Sequence, residues 1–461
     1  MRTAVLVAEI GSTTTVVNAF DGIGGPCPVF LGQGQACTTV LEGDVTVGLR
    51  GAVEELRCKL GADSLEWDEM FATSSAAGGL RMTVHGLVHD MTVRAAREAA
   101  LGAGAILKYV TAGRLRRTEV KKIRDINPNI ILVAGGVDFG ERDTALFNFE
   151  TIASMGLDVP VIYAGNVENQ DEIAMIAEEK GVRLYITENV YPRVDQLNVD
   201  PARRIIQRVF EDHIIHAPGM NTVRDMIDGP IIPTPGAVME AAILLREALG
   251  DLVVFDVGGA TTDVHSVAEG SEKILSITVS PEPIAKRTVE GDLGVYLNLN
   301  HIAEQVDMEK LRADFPEADD LIAGAGPIPR TDKEVRFVER MTREALLLSL
   351  RRHAGRIRHY YTATGKKTIA EGKDLTAVEY VIGTGGALTR LPARMEILKA
   401  AGTMNKGLEL YPPESVKTLI DGEYIMASLG VLSKKYPEDA LKLLKKNFGI
   451  IPEENPVNRA V

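Results

Sequence analysis

Cysteine is scarce. Cys27, Cys37 and Cys58 are the three in the chain, and none forms a CxxC pair. An odd count without paired spacing argues against a disulfide framework and suits a reducing compartment. Aromatic residues make up only 5% of the chain, so its cores must be filled by Val, Ile, Leu, Ala and Met. No stretch approaches the roughly twenty unbroken apolar residues of a membrane span. The first apolar run follows Met1-Arg2-Thr3 and is stopped by Glu9, too soon for a secretory signal. Positive charge is in deficit as well: 51 Lys and Arg stand against 64 Asp and Glu, a net charge of −13. Bulk attraction to nucleic acid or acidic membranes is therefore not expected. The basic stretch Arg114–Arg117, with Lys121 and Lys122, reads as a solvated helix face. The expectation is a cytoplasmic protein with no nucleic-acid and no membrane partner.

Apolar residues and glycine are plentiful. The apolar share is 45%, and many of the 44 glycines close apolar runs, the pattern of α/β folds with tight turns. A length of 461 residues allows more than one domain. Ala4–Ala8 and Val16–Phe20 read as the strands of a hairpin, with a third strand near Val29–Gly34. Helical spacing covers Val45–Lys59 and Arg94–Val110. From Asn129 to Thr187 the pattern is strand, helix, strand, helix, strand, a parallel βαβαβ unit. Pro218–Pro235 reads as an exposed loop. Ala237–Ala248 reads as a helix, followed by strands at Leu252–Val257 and Val264–Val267. Asp332–Tyr361 reads as one long helix, and Val378–Ile382 as a strand that runs into glycines. Closing helices are expected at Tyr424–Ser433 and Asp439–Lys446.

Two stretches match. Ala8-Glu9-Ile10-Gly11-Ser12-Thr13-Thr14-Thr15 has a strand, an acid, a β-branched residue, a glycine, small residues and two threonines. Phe255-Asp256-Val257-Gly258-Gly259-Ala260-Thr261-Thr262 repeats the pattern half a chain later. Such a repeat predicts two domains of related design facing each other. Gly, Ser and Thr let backbone and hydroxyl groups approach phosphate oxygens closely. A carboxylate at a strand end suits Mg²⁺, held mostly through water because that ion dehydrates reluctantly. A third piece, Gly383-Thr384-Gly385-Gly386, follows a strand and would let a base and ribose pack against bare backbone. Together the pieces predict nucleotide binding. There is no GxxxxGK[ST], and neither Gly102-Ala103-Gly104 nor Gly324-Ala325-Gly326 completes a dinucleotide fingerprint.

In this order the three motifs resemble the two phosphate motifs and the adenosine motif of the actin-like ATPase superfamily. Within it, the chain resembles the glutamate-mutase-associated MutL/GlmL-type family, unrelated to the mismatch-repair protein of similar name. The resemblance also rests on Ser74–Met82, Ala134-Gly135-Gly136-Val137-Asp138, Arg287–Gly294 and Gly383–Thr389, and runs nearly end to end. It implies an α/β fold of two actin-like halves, 1–250 and 251–461. An inserted parallel unit would lie at about 125–200, and the last helices would pack back on the first half. It implies ATP or ADP with Mg²⁺ as cofactors. The implied role is an ATP-dependent reactivating factor for an adenosylcobalamin-dependent amino-acid mutase, with a homodimer left open. A small-molecule kinase of the same fold and a nucleotide-gated scaffold with little hydrolysis are the alternatives.

The candidate catalytic and metal-holding carboxylates are Asp256 and Glu9, the latter standing where the superfamily usually has Asp. Gly11, Ser12, Thr13, Thr14 and Thr15 are the first candidate phosphate loop. Gly258, Gly259, Ala260, Thr261 and Thr262 are the second, and Gly383 to Gly386 the nucleoside contact. Asp263 either assists or is a solvated strand residue. Glu290 and Asp292 either orient a water or cap a following helix, and the cap is preferred. Gly135-Gly136 is a ligand or partner loop, or a plain turn. His85 and His89 have the spacing of one helix face but no third metal ligand, and His213 and His216 are equally isolated. Asp263-Val264-His265-Ser266-Val267-Ala268 falls one glycine short of the cobalamin-binding Asp-x-His-x-x-Gly and reads as coincidence.

Overall fold

A computed structural model describes residues 1–11, 14–39, 44–75, 80–103, 105–214, 220–326, 328–362, 365–404 and 407–450. The chain divides into two compact units, Met1–Val238 and Met239–Val461.

Unit 1 opens with β1 (Arg2–Ile10), β2 (Thr14–Asp21) and β3 (Val29–Cys37), followed by the helix Val45–Lys59 and β4 (Glu66–Ser74). A second set of strands follows: β5 (Arg81–Gly86), β6 (Ile106–Ala112), β7 (Ile130–Val133), β8 (Val161–Tyr163) and β9 (Leu184–Ile186). Then β10 (Ile231–Pro233) returns to the first sheet, whose order is β10-β4-β1-β2-β3. Its central strand β1 is buried continuously from Val5 to Ile10, as befits a strand covered on both faces.

Unit 2 contains β11 (Leu252–Val257), β12 (Thr262–Val267), β13 (Ala285–Glu290), β14 (Arg356–Thr362), β15 (Gly365–Glu371), β16 (Tyr380–Thr384) and β17 (Lys417–Ile420). Its main sheet runs β13-β12-β11-β16-β17. This is the order of the first sheet read backwards from β3. The directions agree too: β1 is antiparallel to β2 and parallel to β4, and β11 is antiparallel to β12 and parallel to β16. The expected α/β fold of two halves on one plan is therefore the fold observed. The helix Asp332–His353 covers one face of the second sheet, burying Phe337, Met341, Ala345 and Leu346 with Val253, Phe255 and Val264. The last two helices, Met426–Leu432 and Pro437–Asn447, belong to unit 2, where Lys434 meets Glu240 at 2.7 Å.

The three strands expected between 129 and 187 are β7, β8 and β9. The sheet that holds them is larger: β5 and β6 belong to it, every pairing is parallel, and the order is β6-β5-β7-β8-β9. Three segments differ from expectation. Arg94–Val110 is a helix only to Gly102, and β6 follows. The helix from Asp332 ends at His353, and β14 follows. Within Pro218–Pro235 lie a short helix and the buried strand β10. Among the described residues no helix is long and apolar enough to cross a membrane.

Candidate nucleotide site

The two repeat motifs fold alike. In the first, Ile10 pairs with Thr15 and the Gly11 N–H donates to the Thr14 carbonyl at 3.0 Å. In the second, Val257 pairs with Thr262 and the Gly258 N–H donates to the Thr261 carbonyl at 3.0 Å. Ser12 and Thr13 lie outside the described residues. The candidate acids hold matching positions: Glu9 pairs with Thr73 of β4, and Asp256 with Thr384 of β16. The match extends one strand further. Thr73 Oγ1 accepts from Thr234 at 3.2 Å, just after β10, and Thr384 Oγ1 donates to Asp421 at 2.8 Å, just after β17.

The second hairpin has its carbonyls occupied. The Gly258 carbonyl accepts from Val295 N–H at 3.1 Å, and the Gly259 carbonyl from Tyr296 and Leu297 N–H at 3.0 and 2.8 Å. The Ala260 carbonyl accepts from the Asn298 side chain at 2.7 Å. Gly294 lets this segment come so close: a Cβ there would stand 2.3 Å from the Ala260 carbonyl carbon. With the carbonyls engaged, the N–H groups of Gly259, Ala260 and Thr261 are left without acceptors among the described residues. A row of free amides at a hairpin tip is an anion-binding surface.

Beside it stands Asp256. Its carboxylate makes no hydrogen bond or ion pair among the described residues. Part of the residue reaches solvent, but protein encloses most of it, and this burial pushes its pKa up to about 7. The charges of Asp263 and Asp421 push the same way, and Arg287 opposes them. Gly385 closes one side: its φ is +84°, and a Cβ would lie 2.3 Å from Asp256 Oδ1. Among the described residues no three His, Cys, Asp or Glu side chains converge as a metal cage. One unpartnered carboxylate beside free amides fits an ion that keeps most of its water, as Mg²⁺ does. Glu9 is buried, with 8% exposure, so the two acids match in register but not in surroundings.

The raised pKa carries a sign. Between about 4 and about 7 the folded chain holds a proton on Asp256 that the unfolded chain has released, so stability falls as pH rises through that window. Without a divalent cation, wild type is expected to melt at lower urea at pH 8 than at pH 5. Asp256→Asn is expected to lose that part of the difference, which paired urea titrations would read.

Sequence reasoning missed Asp421. It is fully buried and takes hydrogen bonds from Thr384 Oγ1, the Ile425 and Met426 N–H groups and the Asn447 side chain, at 2.7 to 3.1 Å. Burial raises its pKa, and these bonds oppose the rise. It ties the end of β16 to the start of the helix Met426–Leu432. Its one local signal is the Asp-Gly pair at 421–422, because its partners lie far off in sequence. Asp421→Ala strands three buried groups and the half-buried Asn447 side chain, with an expected cost of about 3 kcal/mol. Differential scanning should show Tm falling by roughly 6–12 °C, with Asp421→Asn recovering part of it.

Asp263 is neither solvated nor open. It is buried and paired with Arg287 at 2.9 Å. Glu290 and Asp292 form no helix cap: Arg352 holds Asp292 at 2.7 and 2.8 Å and Glu290 at 2.6 Å. Asp292 is held below the usual carboxylate range by that bond, while burial raises Glu290. His85 and His89 do not share a helix face. His85 is buried in β5 between Thr111 and Thr83, at 2.8 and 3.0 Å, and burial pushes its pKa down to about 3. His265 is buried in β12, where burial holds it neutral. The side chains of His213 and His216 lie outside the described residues.

Comparison with known proteins places the chain. Residues 5–448 match the family model described as MutL protein. Protein MutL of Clostridium tetanomorphum is 37% identical over 472 residues, spanning 96% of this chain and 98% of that one. The chain belongs to the MutL family. Likeness to solved structures is more distant. A nucleotide-free acetone carboxylase is 12% identical with a TM-score of 0.40, over 93% of this chain and 70% of that one. A nucleotide-free diol dehydratase-reactivating factor is 12% identical with a TM-score of 0.37, over 95% of this chain and all of that one. The family match covers both hairpins, Asp256, the Gly383–Gly386 turn and the inserted sheet.

Proposed function

We propose that this chain is an ATP-dependent reactivating factor for an adenosylcobalamin-dependent amino-acid mutase such as glutamate mutase. It would promote release of damaged cobalamin from that partner. One observation carries the nucleotide half of the reading: free amides at 259–261 beside the unpartnered carboxylate of Asp256. Those amides would hold phosphate oxygens, and Asp256 would hold Mg²⁺ through water. Bound Mg²⁺ would supply neutralisation of phosphate charge. Gly11 to Thr15 is assigned the same phosphate role in unit 1, with Glu9 as the matching acid, and Gly383 to Gly386 meets the nucleoside. Membership of the family supports a partner enzyme, and an amino-acid mutase is the partner proposed. Conformational change driven by a bound nucleotide can do work on a bound protein.

The test uses purified chain, Mg-ATP and glutamate mutase inactivated with hydroxocobalamin. Recovery of mutase activity on adding fresh adenosylcobalamin is expected with ATP, not without it, and not with Asp256→Ala. ATP binding without recovery of glutamate mutase or of an aminomutase would reject the reactivating role and leave nucleotide binding standing.

A further inference from the structure

The sheet β6-β5-β7-β8-β9 has no part in the nucleotide reading. Numbered along the chain, its strands stand in the order 2-1-3-4-5. The helix after β5, Arg94–Gly102, buries Ala95, Ala96 and Ala99 in one core with Met82 and Val84. The helix after β7, Asp143–Ala153, buries Ala145 and Phe149 in a different core with Ile131 and Val133. Neighbouring strands β5 and β7 thus send the chain to opposite faces. At such a switch point a crevice opens beyond the carboxyl ends of the strands, and open α/β sheets bind ligands there.

The amides at this point are unclaimed. The Ala134 N–H still donates to the His85 carbonyl at 2.8 Å. Beyond it, the N–H groups of Gly135, Gly136 and Val137 find no acceptor among the described residues, and both glycines are buried. Unpartnered amides in enclosed segments are rare, and these three are free to donate to a ligand.

The loop that follows is locked. Asp138 N–H donates to the Pro192 carbonyl at 2.9 Å, and Phe139 N–H to Asn166 Oδ1 at 3.1 Å. Asn189 donates to the Gly136 carbonyl at 3.0 Å and to Asp138 Oδ1 at 2.9 Å. Within this frame Phe139 has a φ of 63°, a left-handed conformation uncommon for a bulky residue. Its side chain is nevertheless 79% exposed. Strain that sets an aromatic ring out in solvent serves no packing, and such strain clusters at ligand sites.

We infer that the carboxyl edge of this sheet, at β5 and β7, binds a small molecule with a flat heteroaromatic ring, of nucleobase or flavin-ring chemistry. The ring stacks on Phe139, and an acceptor on its edge takes the amides of Gly135 to Val137. A phosphate is not the recognised group. Asp138 and Glu141 stand in the same loop, and Arg142 is already committed to Asn169 and to the Glu168 carbonyl.

Equilibrium dialysis of the full chain against riboflavin, flavin mononucleotide and adenosine tests this. No nucleotide is added, because the adenine of ADP would compete for the site. The part of the signal lost in Phe139→Ala, which lies outside both hairpins, is the part assigned to this sheet, so the outcome does not depend on the ATPase reading. A ring compound is expected to bind more tightly than about 1 mM. Riboflavin and its phosphate should bind within threefold of each other, and inorganic phosphate should not compete. Phe139→Ala should weaken binding roughly ten- to a hundredfold, as loss of one stacking ring does. Phe139→Tyr should retain binding, and both variants should melt like wild type. The inference is overturned if none of the three binds, if Phe139→Ala binds as wild type does, or if phosphate displaces the ring compounds.

Discussion

Asp256→Ala is expected to reduce ATP turnover at least a hundredfold while the chain remains folded and still binds ADP in the absence of Mg²⁺. A hundredfold corresponds to about 2.7 kcal/mol of transition-state stabilisation, a modest loss for a group proposed to organise a metal. Folding should survive because the carboxylate has no partner among the described residues, so nothing is stranded when it goes. Removing a partly enclosed acid whose pKa is pushed up to about 7 relieves a cost. Steady-state turnover, a urea melt and ADP titration with and without Mg²⁺ separate these effects. A folded variant that hydrolyses ATP at the wild-type rate would remove Asp256 from the chemistry.

Gly294→Ala should disturb the site by a backbone clash that leaves Asp256 untouched. The added Cβ would lie 2.3 to 2.5 Å from the Ala260 carbonyl carbon and the Ala260 and Gly259 carbonyl oxygens, all backbone atoms. Neither chain can yield by a rotamer change, so the segment 295–298 must draw back from the hairpin. Overpacking of this kind costs about 1–3 kcal/mol, or roughly 2–12 °C in Tm for a unit of this size. The hydrogen bonds that hold the three carbonyls loosen with it, and nucleotide affinity is expected to fall at least tenfold. Gly291→Ala is the control, because its Cβ would meet nothing within 4 Å. If both variants bind nucleotide like wild type, the 295–298 segment does not hold the hairpin in place.

The hairpins were legible because their constraints are local. An acid, a β-branched residue, a glycine and paired threonines fix a strand, a turn and a second strand within eight residues. The rest was hidden for identifiable reasons. β10 carries Pro233 and follows Pro230, which reads as a loop, but it is an edge strand, where proline costs no ladder bond. β6 follows an Ala-rich helix so closely that the two blend into one apolar segment. β14 begins where a close approach ends the long helix: a Cβ on Gly355 would stand 2.5 Å from the Glu371 carbonyl oxygen, a contact between residues sixteen apart. Asp421 and Arg352 carried no motif that singled them out, and Asp263 stayed open between an assisting role and a solvated one. Their roles depend on partners that sequence spacing does not bring together.

The amides of Gly259, Ala260 and Thr261 have a consequence for conditions of use. A site built on lysine can be switched off by acetylation, by high pH or by salt. Main-chain dipoles cannot be acetylated and do not titrate, and they keep their orientation as long as residues 295–298 hold the carbonyls behind them. In a chain with a net charge of −13, the proposed phosphate would thus be received without any cationic side chain at the hairpin tip. The gradient that would hold it is written into peptide geometry, and erasing it means moving the backbone.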